Sequence, residues 1–243
     1  MGLSMLFLPS IEKRLFIVRY LVIGDIHGCY DELQALLDRA ALSEDDAIIT
    51  VGDMVNRGPH SDKVVNFFRY TPQAQAVMGN HEDNHIRYQL AERLPSLSAL
   101  VTRWQLGDAY AAAVDYMARL PLWWKLPDAL VVHGFLEPNV KLKHQRRDVL
   151  LGSNGAEAYL RETYQRPWYE LYEREEPLIV GHRDYSDGAM QPFIYKDRVW
   201  CIDTRCVYGG SLTGILLPEW RLISVPARAD HWLNMRNRYA RLS

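Results

Sequence analysis

Five stretches of the 243-residue chain set carboxylate, imidazole or carboxamide donors beside glycine, directly after an apolar run. "GDIHG" carries Asp25 and His27, "GDMVNRGP" carries Asp53, "GNHED" carries Asn80 and His81, "VVHGF" carries His133, and "IVGHR" carries His182. Mixed oxygen and nitrogen donors suit divalent manganese, iron, zinc or cobalt better than calcium, which takes oxygen throughout. Two such ions about 3.5–4 Å apart, sharing a carboxylate, activate a water and hold a phosphoryl oxygen in two-metal hydrolases. A lone "GNH" or "VGH" is a weak signal; all five stretches in strand-end contexts point to one centre. The glycines let backbone approach that centre closely.

Strands must deliver these donors. "LFIVRYLVIGD" (15–25) reads as a buried strand ending at Asp25, and "YDELQALLDRAAL" (30–42) as a helix with Leu33, Leu36 and Leu37 on one face. "DAIITVGD" and "SDKVVNFFRY" (61–70) repeat that strand–helix unit, and "AQAVMGN" (74–80) is a third strand. Open α/β sheets place ligands at the carboxyl ends of their strands. Residues 84–120 read as helix broken at Pro95 and Gly107, "ALVVHGF" as strand, and 136–177 as a polar, aromatic, partly helical cap. From 178 onward "PLIVGH", "PFIYKD", "VWCIDT", "LTGILLP" and "WRLISVP" alternate with turns, which predicts an antiparallel sheet. No Pro/Gly/Ser-rich linker divides the halves. The expectation is one domain over 1–243, with cap-like insertions near 84–120 and 136–177 and no internal repeat.

At 48% hydrophobic and 24% charged residues the composition is that of an ordinary globular protein, not a disordered, fibrous or membrane one. A formal charge of −2 argues against a general polyanion binder, so no stable nucleic-acid complex is expected. The basic run "KLKHQRR" (141–147) reads as a solvated loop. Three cysteines, Cys29, Cys201 and Cys206, fit a reducing cytosol better than a disulfide framework, and no CxxC pair signals structural zinc. The start has an apolar patch without a preceding basic region, interrupted by Glu12, Lys13 and Arg14. It predicts no signal peptide. With no apolar run near the ~20 residues of a membrane helix, the expected location is cytoplasmic. The sequence leaves oligomeric state open.

"GDIHG", "GDMVNRGP", "GNHE", "HGF" and "GH", with the tail "IDTRCVYGGSLTGILLPE", together resemble the phosphoprotein phosphatase family of calcineurin-like metallophosphoesterases, which includes bacterial serine/threonine phosphatases and diadenosine tetraphosphatases. The resemblance runs from about residue 20 to 226. It implies the calcineurin-like α/β (α+β) fold, two packed mixed β-sheets flanked by helices. It implies two divalent ions, manganese first, with iron, zinc, cobalt or nickel as alternatives. Asp25, His27 and Asp53 would hold one ion, and Asp53, Asn80, His133 and His182 the other. Arg57 would grip the phosphoryl group and His81 would protonate the leaving oxygen, both chemically apt for a dianion and an alkoxide.

The chain departs from the family pattern at several places. Asn56 stands where the protein-phosphatase branch has an aspartate paired with the acid histidine; asparagine orients the ring but supplies no charge. Arg183 replaces a usual threonine, Arg205 a usual glycine, and Phe135 a small residue. "DVLLGSNGAEAY" (148–159) lacks the family's second phosphate-clamping arginine, a job that Arg183, with Arg205 as a further substrate-binding residue, would take over. Trp123, Trp124, Trp168, Tyr169 and Tyr172 read as cap aromatics, for packing or for stacking on a base. "RGP" matches the tetraphosphatase side and "GNHE" the protein-phosphatase side.

The leading expectation is in-line attack of a metal-bridging hydroxide on phosphomonoesters of the phosphoserine or phosphothreonine type. The alternative is a phosphoanhydride in dinucleoside polyphosphates or an RNA cap. A third is a binding protein on a decayed fold, against which the complete ligand set speaks. An α/β-hydrolase reading fails for want of a G-x-S-x-G elbow.

Overall fold

The computed structural model describes residues 18–240, so the start of the chain, including positions 15–17 of the first expected strand, lies outside the described residues. Two β–α units open the fold: β1 (Tyr20–Ile23), α1 (Tyr30–Ala40), β2 (Ala47–Thr50) and α2 (Ser61–Tyr70). They are followed by β3 (Ala74–Ala76) and the helices α3 (Asn80–Gln89), α4 (Leu97–Leu106) and α5 (Tyr110–Met117). Next come β4 (Trp123–Lys125), β5 (Leu130–Val132), α6 (Arg147–Leu150) and α7 (Ala156–Tyr164). The chain then runs through β6 (Leu178–Val180), β7 (Phe193–Tyr195), β8 (Val199–Cys201), β9 (Ser211–Leu217), β10 (Arg221–Pro226) and α8 (His231–Ala240).

The strands form two five-stranded mixed sheets, in the orders β10-β9-β1-β2-β3 and β4-β5-β6-β8-β7. Side chains alternate across each strand, and here both faces are apolar. Leu21 and Ile23 of β1 pack on Leu33 and Leu36 of α1. Val22 between them packs with Ile49 and Ile215 against Val131, Ile179 and Ile202 of the other sheet. A third cluster joins Val132 and Val180 to Val149, Leu150 and Leu160 on the far side of the second sheet. The layering is helix, sheet, sheet, helix. Full burial of one such aliphatic side chain contributes about 1.5–3 kcal/mol, which explains why strands of three or four residues suffice.

The pairing of the second half differs from the antiparallel sheet that its alternation predicts. β6 lies parallel to both β5 and β8, while β9 and β10 cross over to the first sheet beside β1. Parallel return needs a long crossover, and the segment carrying α6 and α7 provides it. Only β4–β5, β7–β8 and β9–β10 are antiparallel neighbours joined by short turns. Trp123 and Trp124, expected in a cap, belong to β4 and pack into the cores beside it.

Among the described residues no helix is long and apolar enough to cross a membrane. The last helix is fastened to the first. His231 Nε2 lies 2.7 Å from Glu32 Oε1, the Arg228 amide donates to the same oxygen at 2.9 Å, and Arg228 pairs with Asp31. Burial pushes the Glu32 carboxyl up, but these hydrogen bonds more than offset it and hold it at about 2. A depressed carboxyl contributes its stability in full above its unfolded value of about 4.3 and loses it as the pH falls toward the folded one. Glu32→Gln should therefore lower the urea midpoint at pH 6 and flatten its decline between pH 5 and 2.5. An unaltered acid slope would show that this latch does not govern it.

Candidate metal centre

The segments leaving β1, β2, β3, β5 and β6 bring Asp25, His27, Asp53, Asn80, His133 and His182 into one cluster, buried except for partial exposure of Asn80 and His182. Asp53 is its hub. Its Oδ2 lies 3.5 Å from His27 Nε2 and 3.9 Å from His81 Nε2, whereas its Oδ1 lies 3.4 Å from His133 Nε2. The same Oδ1 accepts the His81 amide at 3.0 Å. Asp25 lies 3.9 Å from His27 Nε2 and accepts the His182 amide at 3.0 Å. Asn80 Oδ1 is 3.1 Å from both His133 Nε2 and His182 Nδ1. Two donor sets, His27/Asp53/His81 and Asp53/His133/His182, each converge within 4.8 Å and share Asp53.

The tautomers show what the cluster can hold. His27 and His133 donate Nδ1–H to the carbonyls of Val55 and Val51 at 2.8 and 3.0 Å, which leaves Nε2 of each unprotonated, with a lone pair directed into the cluster. The His133 lone pair then faces two other acceptors, Asn80 Oδ1 and Asp53 Oδ1. Acceptors that face one another in a buried site make a ready donor set for a cation, so the residues present fit divalent ions. The electrostatics agree. Burial, then the neighbouring charges of Asp203 and Asp53, push Asp25 well up; burial, then Glu82, does the same to Asp53. Burial keeps His27 and His133 unprotonated and brings His182 down to about 4.

The chain is bent hard to achieve this. His27, Asp53, Asn56, Arg57, His182 and Arg205 all have left-handed backbone, with φ of +46° to +74°. Each costs about 1–3 kcal/mol outside glycine. Glycines fill the space behind the donors: a methyl on Gly79 would meet Asp53 Oδ1 at 2.2 Å, and one on Gly181 would meet Asp25 Oδ1 at 2.1 Å. Glu82, fully buried, ties two of the turns together by accepting the amides of Asp53, Met54 and Gly79, each at 2.9 Å.

His81 is supported by a chain of hydrogen bonds. Thr102 Oγ1 accepts the Asn56 amide at 3.1 Å and so donates its own proton to Asn56 Oδ1 at 2.9 Å, where His85 Nε2 also donates at 3.0 Å. The Asn56 amide group must then face His81, donating Nδ2–H to Nδ1 at 2.6 Å. His81 is thereby left neutral with its proton on Nε2, toward Asp53. Tyr110 completes the chain by donating to His85 Nδ1 at 3.0 Å. Burial, then Arg57, lowers the His81 pKa well below its ordinary value.

The arginines separate. Arg57 Nη1 donates to His27 Nε2 at 2.8 Å, and its guanidinium lies 5.5 Å from the Tyr208 ring. Arg205 lies 4.1 Å from the same ring. Arg183 instead pairs with Glu157 and lies beside Tyr185, half exposed. Trp168 is buried against Phe135, Tyr169 and Tyr185, and Tyr172 donates to the Glu176 carbonyl at 2.7 Å, so these rings pack the second sheet. Sequence reasoning missed Asp203, His85, Thr102, Tyr110 and Tyr208. Asp203, buried beside Asp25, had a visible signal: it ends the β8 run "VWCID" as Asp25 ends that of β1.

A family model described as calcineurin-like phosphoesterase matches residues 18–202. An asymmetrical bis(5'-nucleosyl)-tetraphosphatase of Halalkalibacterium halodurans is 30% identical over 235 residues, 85% of this chain and 93% of its own. The Bacillus subtilis protein of the same description is 27% identical, covering 86% and 94%. A crystal structure named, provisionally, as a diadenosine tetraphosphatase superposes with TM-score 0.68 at 26% identity, covering 88% of this chain and 95% of the other. A protein serine/threonine phosphatase from Saccharomyces cerevisiae, at 15% identity and TM-score 0.58 over 87% and 80%, is a likeness of fold alone.

Asn56→Asp should convert the His81 Nδ1 from acceptor to donor. A carboxylate there favours imidazolium, so the His81 midpoint followed by ring NMR should rise by at least about one unit. An unmoved midpoint would mean that residue 56 does not control this ring.

Proposed function

The chain belongs to the calcineurin-like phosphoesterase family, and from that premise we propose that it hydrolyses a phosphoanhydride bond of dinucleoside polyphosphates. The observation that carries this reading is the neutral support of His81. An imidazole that accepts from Asn56 and offers Nε2–H is a hydrogen-bond donor, not an imidazolium acid. A serine alkoxide leaves poorly from such a site. A nucleotide phosphate, stable as an anion, needs only the hydrogen bond. The relatives described as bis(5'-nucleosyl)-tetraphosphatases favour this reading over the phosphoserine or phosphothreonine substrate first expected from the sequence.

Asp25, His27 and Asp53 would hold one divalent ion, and Asp53, Asn80, His133 and His182 a second, with manganese the expected metal. Bound there, such ions supply the charge that draws in the phosphoryl oxygens and polarises the attacking water. Arg57 presents a fork of donors to the phosphoryl group from beside His27. His81 Nε2–H meets the leaving oxygen. Its ring is held from behind by Asn56, so little reorganisation is needed as charge develops. Arg183, one residue beyond His182, is half exposed and paired with Glu157, and would meet only the far end of a long substrate. The buried thiols Cys29, Cys201 and Cys206 suit a reducing, cytoplasmic setting.

With manganese supplied, kcat/KM should be at least tenfold higher on diadenosine tetraphosphate than on a phosphoserine peptide, with two mononucleotide products resolved by chromatography. A preference for the peptide would overturn the reading. Absence of turnover on either, in a protein that elemental analysis shows to be metal-free and refractory to loading, would favour the decayed binding protein.

A further inference from the structure

Arg205 stands in a turn that ordinarily suits glycine, with φ of +61°. The turn is well anchored. The Arg205 amide donates to Asp203 Oδ1 at 2.9 Å, and its carbonyl accepts the amides of Tyr208 and Gly210 at 2.9 and 3.1 Å. Cys206 and Val207, between Arg205 and Tyr208, are buried in the first core. The Tyr208 ring is therefore a fixed platform, and Arg205 lies over it at 4.1 Å while Arg57 approaches the same ring at 5.5 Å. Two like charges are thus gathered at one ring. Among the described residues neither has a carboxylate within ion-pair distance, whereas other arginines, such as Arg19, Arg87 and Arg146, do. Stacking satisfies the face of the Arg205 guanidinium but none of its five N–H donors.

Geometry shows what those donors are for. Arg57 is hydrogen-bonded to His27 and so faces the phosphoryl group at the centre. Arg205 is held at the same ring without such a hydrogen bond, and its donors are left for a second phosphate. We propose that Arg205, held on Tyr208, determines specificity by binding the phosphate next to the one under attack, so that the site reads a polyphosphate chain. Tyr208 is a positioning residue in this arrangement. The inference rests on the anhydride substrate proposed above and names which part of that substrate is recognised.

AMP and ADP differ by one phosphate and share their nucleoside, so their binding isolates this contact. Titrated by calorimetry into the protein with manganese in excess over nucleotide, ADP should bind at least tenfold more tightly than AMP. Arg205→Gly, which suits the left-handed turn, should collapse that ratio to threefold or less. Arg205→Asn, also at ease in this backbone, gives the same result if the first variant folds poorly. Tyr208→Phe should retain the ratio and Tyr208→Leu should reduce it. In turnover, the preference for diadenosine tetraphosphate over p-nitrophenyl phosphate should fall at least tenfold in Arg205→Gly. Equal weakening of AMP and ADP in both Arg205 variants, or no preference for ADP in the unmodified protein, would overturn the inference. Hydrolysis of diadenosine tetraphosphate with an unchanged ratio would refute Arg205 alone. Preference for a phosphopeptide would instead refute the anhydride reading.

Discussion

Three carboxylates buried beside one another, with too few positive neighbours, set the terms for the rest of this molecule. Asp53 is 2% exposed and Asp25 4%, and an ionised carboxylate at such depth is unfavourable by several kcal/mol unless paired and hydrogen-bonded. The protein answers with partial measures: amides of His81 and His182, imidazoles held in the unprotonated form, and the guanidinium of Arg57. Only the guanidinium carries a full positive charge, one against several carboxylates. The strand ends, the left-handed turns and the Glu82 clamp are all arranged to hold the donors in place despite their repulsion, which is the property that makes them a site for cations.

Much of this was legible in the sequence because each donor follows an apolar run. A run buried on both faces reads as a strand whatever its partner, so Asp25, Asp53, Asn80, His133 and His182 could be assigned to strand ends and hence to a common edge. The pairing was not legible. Alternation in "PLIVGH" or "VWCIDT" says that a residue faces inward, not which strand lies beside it; β6 proved parallel to β5 because the chain between them crosses over through α6 and α7, and to β8 because β7 returns between them. The support of His81 was hidden for a related reason. Thr102 reaches Asn56 across 46 positions, and no local pattern announces such a contact. His85, four residues after His81 on α3, was within reach of a helical-face argument.

Asn56 carries more consequence than its neutrality first suggests. An asparagine facing an imidazole could present either end of its carboxamide, with opposite results for the ring. Thr102 and His85 occupy the oxygen end, so the ring receives a proton donor. The neutral ring and its Nε2–H therefore follow from two residues outside the "GDMVNRGP" stretch. In the function proposed here, His81 and Arg205 are the residues that favour an anhydride over an ester, and the metal-binding donors are not.

The glycines behind the donors give the site a particular history. Where a single added carbon on Gly79 or Gly181 would strike a carboxylate oxygen, the interior offers no neighbouring variants to sample, and mutation there leads straight to loss. Room for change lies instead with side chains outside the donor set, such as the half-exposed Arg183.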